Sequence, residues 1–182
     1  MCRIFTPMLN KQKIVINTIN NHPREMEVKE VLSRLLKEYR LPTYTEEINV
    51  EFKARPHSHP ILTMNTRILD WRCVMKQFVH EQMHWFHHGH PKEEEGYIYL
   101  HKKYPLIDKE EFKHNRPRSF WTHIVVCWNT ENFLRNIISQ ENLDYMNSEC
   151  QSYVKTEKMI RDKFDEIRKD LEKFDMIAPV SI

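Results

Sequence analysis

Phe78-Val79-His80-Glu81-Gln82-Met83-His84-Trp85-Phe86 is the stretch on which the reading of this chain turns. Its two histidines stand four residues apart. On a helix both imidazoles then project from one face, about one turn apart, where they can share a tetrahedral zinc ion at roughly 2.0–2.1 Å each. Glu81 stands beside the first histidine, placed to take a proton from a water that the metal activates. The surroundings read as helical. Asp70 is a good N-cap, Trp71 to His88 contains neither proline nor glycine, and Gly89 supplies a stop. Phe78, Val79, Met83, Trp85 and Phe86 make the rest of this helix apolar, so it is anchored in a core. The bland alternative is a solvated histidine face on an ordinary core helix.

Upstream, Lys13 to Thr18 is short and β-branched and reads as a strand. Met26, Val28, Val31, Leu32, Leu35 and Leu36 follow helical spacing from Glu25 to Arg40, with Pro42 as a stop. Ile48 to Ala54 and Ile61 to Ile68 alternate apolar and polar residues around a proline-flanked turn, as two strands do. Downstream, Pro91 to Lys103 opens on acids and closes on bases, the charge order of a short helix. Arg116 to Ser119 is a break, and Phe120 to Ile138 is apolar on most faces, as a buried helix is. Ile160, Phe164, Ile167, Leu171 and Phe174 recur at spacings of four and three, which predicts a long C-terminal helix from about Ser148 to Asp175. Its stripe suits a core face or a short seam for a partner.

A catalytic zinc usually has three protein ligands and a water. Residues 85–94 read WFHHGHPKEE and lack the Gly and His that a short-spacer motif requires, so the third ligand must come from farther along. The helix from Phe120 to Ile138 carries two donors, His123 and Glu131, within about 80° of each other on its surface. Either can face the metal. His87, His88 and His90 sit at a helix end, where exposure or a dipole contact is the ordinary role. His57 and His59 read as surface or substrate-side residues. Cys127, one turn after His123, reads as a buried thiol rather than a ligand. One of Tyr97, Tyr99 and Tyr104 is a candidate for stabilising an oxyanion. The strand from Ile61 to Arg67 directly precedes the zinc helix and suits either pairing with an extended substrate backbone or a purely structural edge.

The segments PILTMNTRI (60–68), FVHEQMHWF (78–86) and SFWTHIVVCW (119–128) resemble a group of uncharacterised bacterial zincin-like proteins. The recurring segments of that group are a strand "HPxLTLNTR", a helix "HEQLHWF" and a helix "HLIVCWLE", and the likeness covers residues 57–135. More broadly, a zinc helix followed at long distance by a ligand-bearing helix resembles the gluzincins and the compact minigluzincins. The resemblance implies that His80, His84 and His123 hold zinc and that Glu81 is the general base. The acid after the tryptophan of the last segment is not matched: Asn129 and Thr130 stand there and Glu131 is displaced by one, which favours His123 as third ligand. The elements read above predict an α+β fold, zincin-like by the resemblance, with a small, twisted, mainly antiparallel sheet of about three strands, an N-terminal helix, the zinc helix, the ligand helix and the long C-terminal helix.

The 182 residues, 40% hydrophobic and 11% aromatic, suit one domain spanning 1–182. Lys and Arg total 28 against 26 for Asp and Glu, so the formal charge of +2 predicts neither a nucleic-acid nor a membrane partner. With only Gly89 and Gly96, glycine-rich phosphate loops are excluded. Cys2, Cys73, Cys127 and Cys150 form no close pair in sequence and read as free thiols. With no recognisable leader and no apolar run approaching 18 residues, they place the protein in the cytoplasm. The expectation is a zinc-dependent metallohydrolase, with a peptide or protein as substrate. The competing expectation is a non-catalytic binding or scaffold protein that keeps the zinc for stability, or the fold without metal. The sequence does not set the oligomeric state.

Overall fold

In the computed structural model, which describes residues 14–105 and 119–180, the chain begins strand, helix, strand. Cys2, Lys13 and the expected break at 116–118 lie outside the described residues. Val15–Thr18 forms β1, Pro23–Glu38 forms α1 and Glu47–Val50 forms β2. A helix between two strands returns the chain to its starting end, so β2 runs parallel to β1, from Val15 opposite Glu47 to Thr18 opposite Val50. Residues 51–61 make a second return, and β3 (Leu62–Met64) lies parallel to β2 on its other side. The three-stranded sheet, in the order β1-β2-β3, is therefore parallel. This corrects the expected antiparallel sheet. Alternation within a strand reports which face is buried and carries no information about direction.

Glu25, on α1, locks this unit together. It is fully buried, and its carboxylate accepts from the backbone N–H groups of Asn20, His22 and Phe52 at 2.9, 3.2 and 2.7 Å. Burial alone would raise its pKa, but these N–H groups and the Asn20 side chain hold it below the usual carboxylate value. The outer edge of β3 is also occupied. Thr63 donates its N–H to His57 O at 2.7 Å and accepts from His57 N at 3.2 Å. The β3 backbone groups that a substrate strand would need at Thr63 are thus already paired, which favours the structural-edge reading of this strand.

Trp71–His87 forms α2, capped by Asp70 and followed by Gly89 at φ 73°, a left-handed position suited to glycine. Then come α3 (Glu93–Lys103), α4 (Ser119–Ile137), α5 (Gln140–Glu149), α6 (Val154–Asp162) and α7 (Phe164–Glu172). The expected long C-terminal helix from Ser148 to Asp175 is thus two shorter ones, α6 and α7, preceded by the end of α5. The chain turns at 150–153 and again at Lys163, and the second break lets both α6 and α7 lie against α4. Ile160, Ile167 and Leu171 are buried there, so the stripe serves this chain's own core.

Helix α4 joins two cores. On one side Val126, Phe133 and Leu134 pack with Val28, Leu32, Ile48, Leu62 and Phe78; on the other, Phe120, Ile124 and Trp128 pack with Leu100, Ile160 and Ile167. Each such side chain contributes roughly 1.5–3 kcal/mol on burial. That is why α4 is apolar almost all round.

The cysteines depart from expectation. Cys150, at the end of α5, meets Cys73 in the first turn of α2 at a Cα separation of 5.1 Å, and the two form a disulfide. Among the described cysteines only Cys127, which is buried, lies outside a disulfide. No helix among the described residues is long and apolar enough to cross a membrane.

Candidate metal centre

Helix α2 presents Cys73, Lys76, His80 and His84 at spacings of three, four and four, which places them along one face. That face looks onto α4 and the segment from α5 to α6. His123, one turn into α4, projects against it. The ring centroids of His80 and His84 are 5.0 Å apart, those of His84 and His123 5.0 Å, and those of His80 and His123 5.5 Å. One nitrogen from each ring lies within 4.8 Å of the others, so the group can hold a metal ion. A tetrahedral zinc would set its nitrogens about 3.3–3.4 Å apart, closer than the 4.8 Å within which these three lie.

The protonation state suits ligation. His123 Nδ1 lies 2.7 Å from the carbonyl of Ser119, so it carries the proton and donates it there. The lone pair is then on Nε2, the arrangement that a backbone carbonyl imposes on many metal-binding histidines. Burial pulls the His123 pKa down to about 4 despite that carbonyl. Burial likewise holds His80 well below the usual imidazole value, helped by His123 and Lys76, and His84, helped by the neighbouring imidazoles. Three neutral imidazoles at one point are cation ligands.

The other sequence candidates fall into place around this group. Glu81 is buried, has no hydrogen bond or ion pair among the described residues, and is pushed up to about 8 by burial alone. Glu131 stands apart from the histidine group and is engaged by Arg135 Nε at 2.9 Å and Asn147 at 3.4 Å. Cys127 Sγ lies 3.9 Å from His80 Nδ1, behind the ligand. His87 is buried with Nε2 3.9 Å from Glu93, His88 is exposed, and His59 stacks on Trp85 at 4.2 Å. His57 serves the β3 bridge, and the His90 ring accepts from Lys92 N. None of these joins the three-histidine group.

The tyrosines expected near the site are elsewhere. Tyr99 and Tyr104 both donate to Asp170 at 2.7 Å, in a buried knot that Lys103 and Lys173 complete. Tyr97 packs edge-on against Trp121. Among the described residues, Tyr153 is an aromatic that lies against the centre, its ring 4.0 Å from that of His123 and 5.9 Å from that of His80. Sequence reading missed it because a tyrosine in a short turn, about seventy residues from the His80–His84 pair, carries no periodic or motif signal. Asn129 ties down the C-terminal segment: it donates to Met176 O at 2.9 Å and accepts from Ala178 N at 2.7 Å.

Compared with known proteins, the chain matches no family model, no curated protein sequence and no solved structure.

Proposed function

We propose that this protein is a zinc-dependent hydrolase of peptide or other amide bonds, with His80, His84 and His123 as metal ligands and Glu81 as general base. The observation that carries the reading is the convergence of three neutral imidazoles from two core helices, one of them fixed in the ligating tautomer by Ser119 O. A bound zinc ion supplies Lewis acidity, lowering the pKa of water towards about 7 and polarising a carbonyl. Glu81 then needs its carboxylate form to accept the proton and hand it to the leaving amine. In the surroundings described above its pKa is pushed up to about 8, so the nearby cation has to favour the charged form.

A second reading is a metal centre kept for stability. The Tyr153 ring over two of the ligands and the paired backbone at Thr63 favour it. Zinc content per chain separates the metal readings from a metal-free scaffold: one zinc is expected in the wild type and in Glu131→Ala, and none in His84→Ala or His123→Ala. A wild type that takes up no zinc defeats both. Glu81→Gln then divides enzyme from structural site, because it should keep zinc and lose all hydrolysis of a peptide library. A cytoplasmic location, the expectation from sequence, has to accommodate the Cys73–Cys150 disulfide, a bond more at home in oxidising compartments.

A further inference from the structure

The face of α2 that carries the metal ligands is held at three points by one stretch of chain, residues 146–157. Cys150 is bonded to Cys73, seven residues before His80. Lys76 Nζ donates to Glu157 Oε2 at 2.6 Å and to Met146 O at 3.3 Å. Tyr153 lies over His80 and His123. The turn between α5 and α6 is itself hung on Glu157, whose Oε1 accepts from Ser152 N at 3.3 Å and Tyr153 N at 3.5 Å. The disulfide therefore anchors one end of the covering turn and the buried ion pair the other.

We propose that this turn is a redox-controlled latch: the Cys73–Cys150 disulfide holds Tyr153 over the three-histidine centre, and its reduction frees the turn and opens the centre. The inference rests on the metal reading above. Cys73 is buried and Cys150 is half-buried, so an external dithiol reaches the Cys150 sulfur first. Its thiolate attacks Cys150 Sγ, a mixed disulfide forms, and Cys73 leaves as a thiolate that takes a proton. The second thiol of the reductant then closes on its own sulfur and releases Cys150. Two electrons pass to the cysteines, and the reductant departs as a cyclic disulfide. As the turn swings, the bonds from Ser152 N and Tyr153 N to Glu157 Oε1 and from Glu157 N to Tyr153 O open with it, while Lys76 keeps the rest of α6 docked through Glu157 Oε2.

The test follows zinc transfer from the loaded full-length protein to a chromogenic chelator, oxidised or reduced with a phosphine, which unlike a dithiol does not compete strongly for zinc. Helical circular dichroism is recorded in both states. Release about ten-fold faster or more after reduction is expected with the helical signal kept. Tyr153→Ala should release at the fast rate while oxidised and gain little from reduction. Equal rates in the two redox states, or a Tyr153→Ala variant as slow and as redox-sensitive as the wild type, overturns the latch. Amide exchange of the zinc-free chain gives a second readout, with faster exchange expected at residues 150–153 after reduction and none at 80–84. Unchanged exchange at 150–153 overturns the latch even if zinc binds. Loosening there in a chain that takes up no zinc supports the hinge and defeats the metal reading instead.

Discussion

Glu157→Gln tests how firmly the covering segment is fixed to the metal helix. The wild-type carboxylate lies 2.6 Å from Lys76 Nζ, with side-chain exposures of 8% for Glu157 and 10% for Lys76. At an effective dielectric of about 20 the attraction is roughly 6 kcal/mol, and removing both charges from water offsets most of it. The amide keeps an acceptor for Ser152 and Tyr153 but leaves the Lys76 ammonium buried with the Met146 carbonyl alone. The expected cost is about 3 kcal/mol. Urea unfolding of chelator-washed, disulfide-intact protein reads this as a fall in midpoint at unchanged slope. The double replacement Lys76→Met with Glu157→Gln should return to within about 1 kcal/mol of wild type, because no buried charge is left without its partner and the amide keeps the acceptor for Ser152 and Tyr153. A Glu157→Gln cost below about 0.5 kcal/mol, or a double variant as unstable as the two singles added, refutes the reasoning.

By equilibrium competition with a chelator, His123→Ala should weaken zinc binding by about 100-fold or more and Glu131→Ala by only a few-fold; the reverse order would hand the third position to Glu131. The zinc-free protein should lose stability as pH falls below about 6.5, because the unfolded chain protonates His80, His84 and His123 while the fold keeps them neutral with lowered pKa values. Thermal melts from pH 8 to pH 4.5 read this, and His80→Ala should flatten the slope. Asp170 titrates in the same sense at lower pH. Burial alone would raise it, but hydrogen bonds from Lys103, Tyr104, Lys173 and Tyr99 hold it well below the usual carboxylate range. Its contribution is complete above the unfolded value near 3.9 and is lost as pH falls through the depressed folded value. Asp170→Asn should cost about 2–4 kcal/mol at pH 7 and much less at pH 2.5, measured by denaturant unfolding at both.

What the sequence made legible is what one helix encodes locally. The bounds of α1, α2 and α4 follow from apolar spacing and from Asp70, Gly89 and the proline stops, and the predicted α2 differs from the observed one by a single residue at its end. Across helices the information thins. His123 and Glu131 have equal helical claims to face α2, and only the packing of α4 separates them, by turning His123 onto His80 and His84 while Glu131 pairs with Arg135. Strand direction was illegible in three- and four-residue strands, although a strand, a sixteen-residue helix and a second strand are the ingredients of a parallel crossover. The Cys73–Cys150 bond joins residues 77 positions apart with no spacing signature. Cys73, Lys76, His80 and His84 share a face of α2, and the segment that brings Cys150 to Cys73 and Glu157 to Lys76 also sets Tyr153 against His80. The covering of the centre is therefore a product of the same helical spacing that assembles it.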